Sequence, residues 1–329
     1  MRVGALAVLV AIGLLAAAGW LGSGFVLHPP WYVGVSPDGT LPRVENESWH
    51  GIDSDPFTAF RIPYEDVTFS AEDGQTLRGW FVPGRLPRRA AQAAILLVHG
   101  GGGDRRDYLR HVPLYHDAGW PVLLFDCREH GGSDGRGVGV SFGVREHRDV
   151  SSAVAWLRRA RGFARVGVVG TSQGGASVIL AAARDPDIDA VVAENPFASI
   201  EALIDFGARQ VPQPFRWALV RATAWRTFGT SGTPAPIDVV GRIAPRPLLI
   251  LHGDADSVID APQSERLFAA AGAPKDLWIA PGADHTQVYD VHPEEYARRV
   301  LAFFAPLRAG SAGSERGASL RRGVAGSER

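Results

Sequence analysis

Val166-Gly167-Val168-Val169-Gly170-Thr171-Ser172-Gln173-Gly174-Gly175-Ala176 carries the most specific pattern in the chain. Val166 to Val169 is a short apolar run, the form of a strand buried on both faces. From Gln173 the chain becomes Ala-rich and continues to Arg184, the composition of a helix. Between the two lies Gly-x-Ser-x-Gly. A turn that tight holds its serine in a strained backbone conformation, and the positions two before and two after must lack side chains. Gly170 and Gly174 meet that need. The helix N-terminus beneath Ser172 favours negative charge developing there. As a bare pentapeptide the motif often arises by chance; the strand before it and the helix after it make it a nucleophile elbow.

Outward from this turn the same alternation repeats. Ala94–Val98, Val122–Phe125, Ala190–Ala193 and Leu248–Leu251 are continuous apolar runs, and Leu277–Ile279 reads as a last strand. Helical patterns lie at Arg106–Ala118, Arg145–Arg161, Pro262–Ala271 and Pro293–Phe304. Strands alternating with helices predict right-handed crossovers and a mostly parallel, doubly wound α/β sheet. Tyr64–Ser70, the turn Glu72-Asp73-Gly74 and Gln75–Val82 predict a hairpin ahead of it. Phe197 to Val240 is too long for a simple crossover and holds Phe206, Phe215, Trp217, Trp225 and Phe228, so a small helical cap is expected there. The expected division is a membrane anchor or signal segment at 1–28, an extension packing on the domain at 29–60, the catalytic domain at 61–307 and a disordered Gly/Ser/Arg tail at 308–329.

A serine presented this way needs a base. Of ten histidines, His285 lies in Pro281-Gly282-Ala283-Asp284-His285, a turn-forming segment directly after the last strand. His292, on the following helix, is its rival. His99 and His252 stand in His-Gly pairs at strand ends, where a ring more often bonds nearby backbone. For the carboxylate that orients the base, His252-Gly253-Asp254-Ala255-Asp256 offers two candidates. Asp256 lies further into the loop and can turn towards a histidine from the next strand end; Asp254 reads as turn-forming. Glu194, at an earlier strand end, is the outside alternative. His99-Gly100-Gly101-Gly102-Gly103 lets backbone approach a reacting carbonyl closely, so Gly101 N–H and Gln173 N–H are the expected oxyanion donors. Cys127 has no elbow around it and reads as buried filler.

His-Gly-Gly-Gly at 99–102, Asp-x-Arg-x-His-Gly-x-Ser at 126–133, Gly-x-Ser-x-Gly-Gly at 170–175, His-Gly-x-x-Asp at 252–256 and Gly-x-x-His at 282–285 occur in that order. Together they resemble the α/β-hydrolase superfamily, and most closely its bacterial branch of serine aminopeptidase-like and lysophospholipase-like hydrolases. The likeness covers roughly Tyr64 to Leu307. It implies the α/β-hydrolase fold, a triad of Ser172, Asp256 and His285 in that order, and an acyl-enzyme intermediate. The departure is Cys127-Arg128-Glu129, where such proteins more often carry a small residue, Arg and Gly. The cap of this family varies too much to carry substrate identity.

Composition bounds the function. A net charge of −1 gives no electrostatic case for nucleic acid, and a single cysteine allows no intrachain disulfide. No metal or cofactor is implied. The aromatic cap, short of charge, favours a small-molecule ester or thioester with a lipid-like or aromatic acyl group. A peptidase, or a non-catalytic binding protein on the same scaffold, is the alternative. Val3 to Leu27 has Ser23 as its only clearly polar residue, long enough for a transmembrane helix. Ala16-Ala17-Ala18 also fits a signal-peptidase site, which would release a secreted protein. Arg2 precedes the segment and the next cationic residue is Arg43. An anchored protein would then have its N-terminus inside and its catalytic domain outside the cytoplasm.

Overall fold

The computed structural model describes residues 2–32, 34–36, 40–41, 43, 51–85, 92–228 and 234–309. Strands run at β1 Glu65–Ser70, β2 Thr76–Val82, β3 Ala93–Val98, β4 Val122–Phe125, β5 Arg165–Thr171, β6 Ala190–Glu194, β7 Leu248–Gly253 and β8 Lys275–Ala280. They form one sheet in the order β1-β2-β4-β3-β5-β6-β7-β8. β2 pairs antiparallel with both β1 and β4. Every pairing from β4 through β8 is parallel. The helices are α1 Arg2–Leu27, α2 Pro56–Phe60, α3 Val112–Asp117, α4 Glu146–Arg159, α5 Gln173–Arg184, α6 Ile200–Gly207, α7 Phe215–Phe228, α8 Pro236–Val239, α9 Pro262–Ala270, α10 Val288–Val291 and α11 Pro293–Ala309.

Because successive side chains of a strand point to opposite faces, the continuous apolar runs feed two cores at once. Leu96, Val98, Phe125, Val168 and Ile250 join one cluster, with α4 and α5 laid over it. Ile95, Leu97, Leu124, Val169 and Leu251 join the other, closed by Tyr296, Val300 and Phe304 of α11. The C-terminal ends of the parallel strands therefore meet along one edge, where ligands bind in such sheets.

Two expectations are corrected. The helix expected at Arg106–Ala118 is instead a 3₁₀ segment, Arg105–His111, followed by the short α3. Arg105 is buried against Asp126 and Arg106 against Asp104, which fixes the first segment to the sheet rather than to a helical ladder. Pro113, in the first turn of α3, has no N–H to continue one. At the other end α11 runs through Ala309, and Arg308 stacks on Trp120 at 3.6 Å and donates to Ala118 O. The domain therefore continues past Leu307; the rest of the expected tail, 310–329, lies outside the described residues, as do 33, 37–39, 42 and 44–50 of the extension.

The cap is α6 and α7. Ile200 and Ile204 pack with Phe197 and Ala176 over the start of α5, and Val26 of α1 joins the same cluster. α1 lies against α7. A Cβ on Gly19 would sit 2.6 Å from Ala218 O, so the two backbones touch there as only glycine permits. Gly19, Ser23 and Leu27 are buried, while Leu6 to Leu14 are exposed. Leu6–Leu27, 22 residues, is long and apolar enough to cross a membrane.

Candidate active site

Ser172 stands between β5 and α5 with φ 53° and ψ −119°. Its left-handed backbone is held by packing on both sides. A Cβ on Gly170 would lie 2.3 Å from Gly174 O, and one on Gly174 would lie 2.2 Å from Val98 O. The second glycine is thus demanded by the end of the neighbouring strand β3, not by β5 itself. Ser172 N–H donates to Glu194 O at 2.8 Å, which locks the turn to β6.

The structure brings Ser172, His285 and Asp256 together. Ser172 Oγ and His285 Nε2 are 3.1 Å apart. His285 Nδ1 lies 2.8 Å from Asp256 Oδ2. His285 is 5% exposed and Asp256 7%. Asp256 is held by several donors. Its Oδ1 accepts from Val258 N–H and Ile259 N–H, each at 2.8 Å, and its Oδ2 from Asn195 Nδ2 at 2.7 Å. Burial alone would raise this carboxyl; the hydrogen bonds from His252 and His285 outweigh it and hold Asp256 well below the usual carboxylate range. It stays ionised and can fix His285 in the tautomer whose Nε2 faces the serine.

The competing candidates stand elsewhere. His292 Nε2 lies 2.7 Å from Pro281 O on the exposed side of the loop. Asp254 Oδ1 accepts from Gly282 N–H at 2.6 Å, tying the β7 and β8 loops together, so it is turn-forming across two loops rather than within one. His252 rests between Ser264 Oγ at 2.6 Å and Ile259 O at 2.9 Å, and its Nε2 also lies 3.3 Å from Asp256 Oδ2, so it supports the triad carboxylate rather than serving as the base. His99 is bound to Gly100 O and receives Cys127 N–H. Cys127 is fully buried, and burial pushes its thiol well above the ordinary range. Glu194 turns away from the triad into a nest of tyrosines, accepting from Tyr108 at 3.1 Å and from Tyr296. Burial pushes its carboxyl up to about 7, against those two hydrogen bonds.

The glycine loop runs beside the serine: a Cβ on Gly100 would lie 3.5 Å from Ser172 Cβ. Gly100 N–H donates to Asp107 Oδ2 at 3.0 Å and Gly102 N–H to His130 Nε2 at 3.1 Å. The amides on either side of Gly101 are thus tied back. Gly101 itself packs on Gln173, with a Cβ there 3.3 Å from Gln173 Oε1. That oxygen accepts Phe142 N–H at 3.0 Å.

Two parts of the site escaped the sequence reading. Asn195, with φ 47°, places its amide on Asp256; its position directly after β6, at the sheet edge where ligands bind, was the available signal. The second part is the wall of a cavity of about 580 Å³ that opens onto Ser172 and His285. Its lining includes Phe25, Val26 and Trp31 from the segment read as anchor and extension, alongside Ile204 and Leu219 of the cap.

A family model described as the alpha/beta hydrolase fold matches residues 93–217. An uncharacterised protein of Mycobacterium tuberculosis, MT2364, is 30% identical over 222 residues, covering 67% of this chain and 72% of its own. The chain belongs to the α/β-hydrolase fold family. YqkD of Bacillus subtilis, also uncharacterised, is 27% identical over 311 residues, 90% of this chain and 96% of that one. Among solved structures the Pyrococcus furiosus esterase Pf2001 superposes with a TM-score of 0.64 at 22% identity, over 82% of this chain and 99% of its own. That likeness establishes the fold; the chemistry must be argued from the site.

Proposed function

We propose that this α/β hydrolase is a serine esterase that cleaves small-molecule carboxylic esters or thioesters with apolar acyl groups. The observation that carries the reading is the unbroken Ser172–His285–Asp256 relay facing an apolar cavity. Ser172 Oγ attacks the acyl carbonyl while its proton passes to His285 Nε2. The carbonyl oxygen becomes an oxyanion between Gly101 N–H and Gln173 N–H, aided by the N-terminus of α5. The tetrahedral adduct collapses, the alkoxide or thiolate leaves with the proton from His285, and an acyl-Ser172 ester remains. Water, deprotonated by His285, then attacks that ester and releases acid and free serine.

The peptidase alternative is weaker. A substrate amine needs a carboxylate anchor, and of the two cap acids Asp205 is paired with Arg216 at 3.1 Å, while Glu201 is exposed. The apolar helix Leu6–Leu27 is read as a membrane anchor that holds the catalytic domain outside the cytoplasm, with a cleaved signal sequence as the other reading. Turnover of p-nitrophenyl esters of graded acyl length, set against aminoacyl-nitroanilides, tests the reaction class. Ester turnover is expected; efficient anilide turnover with no esterase activity would overturn it.

A further inference from the structure

The segment that could cross a membrane is also part of the substrate cavity. The last turns of α1 are built into the cap. Besides the contact at Gly19, a Cβ on Gly22 would lie 3.1 Å from Leu219. Trp20 and Trp225 have ring centroids 5.6 Å apart. Arg226 donates to Ser23 Oγ at 2.8 Å and lies over the Trp20 ring. This packing fixes where Phe25 and Val26 stand. Both line the cavity that opens on Ser172, and Val26 packs with Phe197, Ile204 and Leu219. After α1 the chain passes Pro29 and Pro30, which limit its freedom, and Trp31 reaches the glycine loop: a Cβ on Gly102 would lie 2.9 Å from Trp31 Cδ1. One wall of the cavity is therefore made by the N-terminal helix and the residues just after it.

We propose that the C-terminal turn of α1 is the acyl-selecting wall of the site, with Phe25 and Val26 setting the chain length accepted at Ser172. This rests on reading Ser172 as the nucleophile. The substrate class it implies is an ester of an unbranched medium-to-long acyl chain. The wall is aliphatic and aromatic, and a flexible chain laid along it gains affinity with every methylene removed from water, about fourfold each. The position of the wall suits a chain drawn from lipid. Gly19–Leu27 spans about 13 Å of helix, and packing against it brings α7 to the same depth. On α7, Phe215, Trp217 and Trp225 are 52%, 58% and 64% exposed, with the exposed Arg221 between the two tryptophans, and Trp225 meets Trp20 on α1. With Leu6–Leu27 in a bilayer of ~30 Å hydrocarbon thickness, those aromatic side chains meet the interface of the adjoining leaflet, Arg221 stays at its headgroups, and the cavity mouth lies beside lipid.

The test is the acyl-length profile of the full chain in detergent micelles, read as the ratio of kcat/KM for p-nitrophenyl decanoate to that for the acetate. Val26→Trp, which projects a large ring into the cavity along the acyl path, is expected to lower the ratio at least tenfold. Val26→Ala, a change the packing tolerates readily, is expected to move the preferred chain to greater length. Labelling of Ser172 by a fluorophosphonate is followed in parallel for wild type and both variants. If the wild type fails to label, the reading of Ser172 fails and the inference with it. If labelling persists and the ratio stays within twofold in both variants, the inference alone is overturned. Should Val26→Trp not fold, the shift in Val26→Ala decides.

Discussion

Replacing Asp256 by asparagine tests the relay in a way that the surrounding hydrogen bonds determine. Oδ1 of Asp256 receives two backbone N–H groups, from Val258 and Ile259, which the loop cannot reorient. The amide oxygen of an asparagine must take that place. Its NH₂ then occupies the position of Oδ2, where Asn195 Nδ2 now approaches to 2.7 Å and His285 Nδ1 to 2.8 Å. Asn195 can turn its amide over and offer oxygen instead. His285 has no such choice: its Nδ1 must become the acceptor, so the ring proton moves to Nε2, and Nε2 can no longer take the proton of Ser172. A carboxylate-to-amide change with this consequence lowers kcat by about 10⁴ in a serine protease triad, or about 5 kcal/mol of transition-state stabilisation. The same loss is expected of Asp256→Asn, with the fold kept. Asp254→Asn is the control, because an amide oxygen can still accept Gly282 N–H; it should stay within about threefold of wild type. Steady-state hydrolysis of a p-nitrophenyl ester near neutral pH, with circular dichroism on each variant, measures both. Asp256→Asn retaining a tenth of wild-type kcat, or Asp254→Asn proving the more damaging, would refute the reasoning.

Glu194→Gln should flatten the pH dependence of stability. The folded carboxyl titrates near 7 against an ordinary ~4.3, so its contribution is fully present below about pH 4 and is lost as pH rises through 7. Because that span corresponds to roughly 3–4 kcal/mol at most, the wild-type melting temperature should fall between pH 5 and 8 by several degrees more than that of the variant; parallel curves would contradict the assignment. Gly174→Ala should fail to give folded protein or should melt far below wild type, since its methyl meets backbone at Val98 O; a wild-type melting curve would show that β3 yields there.

The elbow was readable because its chemistry leaves so little choice. Backbone meets backbone at Gly170 and Gly174, and the two glycines announce that by their spacing around Ser172. The parallel strands were readable because burial on both faces removes the polar alternation that obscures half-buried ones. His285 and Asp256 followed from their places in the loops after β8 and β7. What local pattern could not reveal was contact between distant segments. Asn195 reaches Asp256 across 61 positions of chain, and no periodicity marks it. Phe25 and Val26 read as part of a uniform apolar stretch, because a residue that faces a cavity and one that faces lipid obey the same composition. The 3₁₀ turn at Arg105–His111 was hidden for a related reason: its course is set by buried ion pairs to Asp126 and Asp104 rather than by helix propensity.

The most direct measurement of the central claim is the site of covalent capture. The full-length protein, treated with a fluorophosphonate and digested, is read by tandem mass spectrometry for the modified peptide. Attack by the Ser172 oxygen on phosphorus with loss of fluoride should give one adduct, on Ser172, absent from Ser172→Ala and strongly slowed in His285→Ala. An adduct on another residue, or an unmodified Ser172 in folded protein that still hydrolyses esters, would contradict it.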